Sequence, residues 1–62
     1  MNRERTELID AIRATARAMS DCAFLMRLYA TRHEQAQEVE KHSLELDVAA
    51  ATAETWAKWI EE

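Results

Sequence analysis

Apolar residues recur along the first half of the chain at Ile9, Ile12, Ala16, Met19, Ala23, Met26 and Ala30, in alternating steps of three and four. That spacing puts all of them on one stripe of a helix. Alanine alternates with isoleucine or methionine after Ile9, so a neighbouring helix can approach closely while the larger side chains fill the gaps. A second series runs through Val39, His42, Leu46, Ala49, Ala53, Trp56 and Ile60. The two series do not join. Carried past Ala30 and His33, the first would bring Gln37 and Glu40 inside, whereas the second needs Val39 and His42, a slip of about two residues. The pattern predicts helix 1 over about 3–31 and helix 2 over about 35–61, within a single helical domain 1–62.

Thr31 followed by Glu34 matches a capping box, in which hydroxyl and carboxylate satisfy free backbone N–H groups at a helix start. It places the turn near Thr31 to Gln35. A later break at Ser43, capping a helix from Leu44 to Trp59, is an alternative. So is one long helix in an extended coiled coil.

Composition narrows the fold. Glycine and proline are both absent and a single cysteine, Cys22, is present. The usual residues of tight turns and hairpin strands are missing while alanine, glutamate, arginine and leucine dominate, so the fold is expected to be all-α, a helical hairpin of two antiparallel helices. Met1 suggests a complete small open reading frame. At 62 residues such a chain has a thin core, and a lone cysteine gives no internal disulfide. Self-association is the simplest remedy. Phe24, Leu25 and Leu28 lie off the first seam, and Leu44, Val48 and Ala51 form a smaller strip off the second. Both are more than one hairpin can bury, which points to a homodimer closed as a four-helix bundle.

That arrangement resembles the small plasmid copy-number regulators of the Rop type, short helical hairpins that dimerise and bind paired RNA loops. The likeness is one of architecture, carried by the two seams and their off-seam strips. It implies dimerisation and, as an alternative function, RNA binding. No functional residue is transferred from it.

Charge bears on partners. The net charge is −4, from 12 acidic and 8 basic residues, which argues against non-specific attachment to a phosphate backbone. Six arginines precede Glu34, whereas Lys41 and Lys58 are the only later basic residues, and eight of the acids lie from Glu34 onward. An antiparallel pairing sets a basic half against an acidic one. Glu40, Asp47, Glu54 and Glu61 fall at seven-residue intervals, either a line that docks on a basic surface or, the preferred reading, a solvated face. Arg13, Arg17 and Arg27 are the RNA-contacting candidates, with structural ion pairing preferred because Asp10 and Asp21 dilute the strip.

Sites of chemistry are sparse. His33 and His42, with Glu38 one turn before His42, lack the three or four converging donors a metal needs, and a seam His42 reads better as a register-setting polar residue. Cys22 stands beside Asp21, which disfavours a thiolate, and reads as a small packing residue. Phosphate loops and nucleophile elbows are absent. No catalytic residue and no cofactor is expected. With no leader and no long uncharged apolar run, the expected setting is the cytoplasm, without membrane contact.

What remains is binding. Trp56 fits the second seam and is expected in the core, while Trp59 flanks it as a partner anchor. Phe24, Leu25, Leu28 and Tyr29 form the other candidate patch. The chain therefore reads as a small protein-binding factor, an inhibitor, adaptor or chaperone of the size common among phage- or plasmid-encoded products, with itself and another protein as partners. An RNA-binding dimer and a purely structural oligomerisation element are the alternatives.

Overall fold

The computed structural model describes residues 2–32 and 34–62. Two helices, α1 (Asn2–Ala30) and α2 (Ala36–Glu61), pack side by side along their lengths as an antiparallel hairpin. The result is a flat rod with Cα extents of 50 × 14 × 10 Å, as expected of helices rising about 1.5 Å per residue.

Mid-helix threonines do not break either helix. Thr6, Thr15, Thr52 and Thr55 each donate their hydroxyl to the carbonyl four residues back, at 2.9–3.0 Å. They therefore add no unsatisfied polar group. The turn forms differently from the capping-box expectation. Arg32 N–H donates to Tyr29 O at 3.1 Å, and α2 begins after Gln35, whose side chain makes no cap hydrogen bond. Thr31 and Glu34 both precede that cap position, so neither can satisfy the first turn of α2 in capping-box fashion. The alternative break at Ser43 is also absent. Ser43 lies within α2 and its hydroxyl donates to Glu40 O at 2.6 Å.

The α1 seam is as expected. Ile9, Ala16, Ala23 and Ala30 are buried, and Ile12, Met19 and Met26 are half-buried. The α2 seam needs correcting at every second position. Val39, Leu46, Ala53 and Ile60 face inward, but they are joined by Ser43, Ala50 and Ala57 in place of His42, Ala49 and Trp56. The physical reason is proximity. Ala16, Ala50 and Ala53 form one buried cluster with Ile12 and Met19 packed against it. A helix lying that close against Ala16, Ala23 and Ala30 leaves room only for small side chains on its partner, and Ser43, Ala50 and Ala57 supply them every seven residues. Trp56 does not fit there and stays 58% exposed.

Candidate functional site

The hairpin has two broad faces of opposite character. On one, a shallow groove runs between the helices, lined by Ile12, Thr15 and Met19 of α1 and by Thr52, Ala53 and Trp56 of α2. The two threonine hydroxyls are already donated to their own helices, leaving their methyl groups to the groove. The groove is therefore apolar throughout. Seven-residue steps from its lining carry this face outward to Leu8, Cys22 and Tyr29, to Leu25 and Met26, and on α2 to Leu46, Trp59 and Ile60. Toward the turn the same steps on α2 reach Glu38, His42 and Glu45.

The opposite face is charged and cross-linked by ion pairs. Arg13 presents Nη1 and Nη2 to the two carboxylate oxygens of Glu61 at 3.0 and 2.8 Å. Arg27 Nη1 lies 2.6 Å from Asp47 Oδ2 and 3.5 Å from Ser43 Oγ. The hydrogen bond from Arg13, reinforced by its charge, holds the Glu61 carboxyl below its usual range; the same bond raises Arg13 further above its own. Beyond Arg13, Arg5 donates from Nε to Ile60 O at 2.9 Å and from Nη2 to Ile60 O and Glu61 O. It thereby caps carbonyls that the C-terminal end of α2 leaves without intrahelical donors. A cation is well placed there, at the negative end of the helix dipole.

The predicted residues distribute unevenly over these faces. Of the acidic line, Asp47 and Glu61 are bound to arginines of α1, and Glu54 lines a depression with Arg13 and Arg17. Glu40 is exposed at the turn end. Arg13 and Arg27, two of the three RNA candidates, thus have their charge committed within the hairpin. The apolar patch is split. Leu25 and Tyr29 belong to the groove face. Phe24 and Leu28 lie seven residues beyond Arg17 and Asp21, which line a depression on the charged face with Asp47 and Glu54. Leu44 and Val48 occupy the corresponding outer edge of α2, so the Arg27–Asp47 pair is flanked by apolar side chains on both helices. All four are more than half exposed.

His42 is a surface residue rather than a seam residue. Its Nδ1 is paired with Glu45 one turn on, not with Glu38. His33 lies outside the described residues. Among the described residues no three of His, Cys, Asp and Glu converge as a metal site. Cys22 is exposed on the groove face, not packed. No described helix is long and apolar enough to cross a membrane. Two features go beyond the apolar pattern of the sequence, the capping by Arg5 and the buried Ser43–Ala50–Ala57 line. The second was visible as a seven-residue repeat of small residues.

The fold and its faces define a helical hairpin with one apolar and one ion-paired side. No protein-family model matches the chain, and no curated protein or solved structure does so either.

Proposed function

We propose that this chain is a small cytoplasmic protein-binding factor, an inhibitor, adaptor or chaperone that acts by occupying the surface of a partner protein. One observation carries the reading. The contact between the helices consumes mostly alanine and serine, while Leu8, Phe24, Leu25, Leu28, Tyr29, Leu44, Val48, Trp56 and Trp59 all stand at least half exposed. So much large apolar surface on so small a protein is the usual mark of a protein interface. Aromatic side chains are the residues that most often anchor such contacts.

The RNA reading draws no comparable support, since Arg13 and Arg27 are engaged by carboxylates of α2. A basic strip that binds phosphate depends on charge left over for the ligand.

The test compares two double variants in affinity capture from lysate and in binding to a stem-loop RNA. Phe24→Ala with Leu28→Ala is expected to abolish capture of protein partners. Arg13→Ala with Arg17→Ala is expected to leave it intact. Capture that survives the apolar pair, or RNA binding that disappears with the arginine pair, overturns the reading.

A further inference from the structure

The seam of each helix is divided by size. Its small members, Ala16, Ala23, Ser43, Ala50 and Ala57, are almost wholly buried by the hairpin itself. Of the larger ones Ile9 is buried, but Ile12, Met19, Met26, Val39, Leu46 and Ile60 are only half-buried, and these six share helical positions with the residues lining the groove. They are core residues of something thicker than two helices.

We propose that a second copy of this chain covers the groove face, closing a four-helix bundle in which those six residues form the central layers. The inference deepens the proposed function by assigning this face to self-association. A foreign partner then meets the outer band around Phe24, Leu28, Leu44 and Val48.

Area supports a second copy. The hairpin exposes 5184 Å², against about 4100 Å² for a compact protein of its mass. A compact dimer would expose about 6800 Å², so pairing would cover about 3500 Å² in total, within the roughly 2000–5000 Å² of permanent homodimers.

Charge supports it too. A two-fold interface sets a face against itself, so like charges on that face repel. From Leu8 to Tyr29, every groove-face position of α1 is uncharged, as is every one from Leu46 to Ile60 on α2. The line Glu40, Asp47, Glu54 and Glu61 lies on the opposite side, where pairing leaves it in solvent. A lipid surface is a poor occupant by the same criterion. Glu38 and Glu45 flank the turn end of the groove face, where an interfacial helix would carry lysine or arginine.

The test is native mass by light scattering on a sizing column, over a dilution series of the full chain through the micromolar range. Cys22 alkylation is followed on the same samples. The expected mass is twice the 7.2 kDa of the chain. Cys22 labelling is expected to slow by about tenfold or more at high concentration, because a thiol in a closed interface reacts only through opening. Ala18→Glu, on the groove face, is expected to halve the mass; Ala14→Glu, outside it, leaves the mass unchanged. Should Ala18→Glu unfold the chain, protection of Cys22 in the unaltered protein still decides. A single-copy mass with Cys22 freely labelled at every concentration overturns the proposal, even if the outer band still captures a protein. A dimer with an unreactive outer band instead overturns only the proposed function.

Discussion

Arg13 and Glu61, 48 positions apart in sequence, meet in a two-point ion pair that ties the N-terminal half of α1 to the last turn of α2. Because Glu61 titrates below the ordinary carboxylate range, its contribution to stability is present at neutral pH. It is lost as the pH falls through that lowered value, where Glu61 becomes protonated in the folded state. Thermal melts from neutral to acidic pH are expected to show a loss of stability that Glu61→Gln reduces. Identical pH profiles for the two proteins would contradict this role.

Small size at the seam is a requirement, while one position further round the helix it is not. Ala50→Leu forces three further heavy atoms into the contact with Ala16 and is expected to cost about 1–3 kcal/mol. Ala51→Leu, exposed, is expected to stay within about 0.5 kcal/mol of the original. Denaturant melts followed by circular dichroism separate the two.

Ser43 is fully buried, at 0% exposure, yet its hydroxyl bonds chiefly to a carbonyl of its own helix. Its value to the fold is therefore mostly its volume. Ser43→Ala trades one local hydrogen bond for higher helix propensity and is expected to shift stability by less than about 1 kcal/mol. Ser43→Leu is expected to destabilise like Ala50→Leu. A costly Ser43→Ala, measured by the same melts, would show that the hydroxyl has a larger role.

The turn gives a further check. With α2 starting after Gln35, Thr31→Ala is expected to change stability by less than about 0.5 kcal/mol, whereas loss of a working N-cap costs about 1 kcal/mol. A cost near the larger value would place Thr31 at the start of α2 after all.

The α1 seam was legible from the sequence because its isoleucines and methionines alternate with alanine in one register. In α2, two registers share Val39, Leu46, Ala53 and Ile60. Judged by apolar bulk, Trp56 belongs inside. Judged by what can lie against Ala16, Ala23 and Ala30, Ser43, Ala50 and Ala57 do. Close packing decides for the small residues, a consequence of the partner helix that α2 read alone does not reveal. The same choice of register turns His42 and Trp56 outward, while on α1 the seam through Ala23, Met26 and Ala30 itself divides Phe24 and Leu28 from Leu25 and Tyr29. The turn was harder to place, since no glycine or proline marks it and a four-residue capping pattern is weak evidence for a helix start.

The central claim is that this hairpin presents an apolar face that another protein chain covers, and that the first such chain is its own copy. Melting midpoint against protein concentration tests it most directly. A dimer that folds as it assembles melts higher as concentration rises, by mass action. The expected result is a midpoint that climbs steadily through the micromolar range. A sharp unfolding transition whose midpoint is the same at every concentration would contradict the claim, because it would show that two helices held by alanine and serine are stable alone.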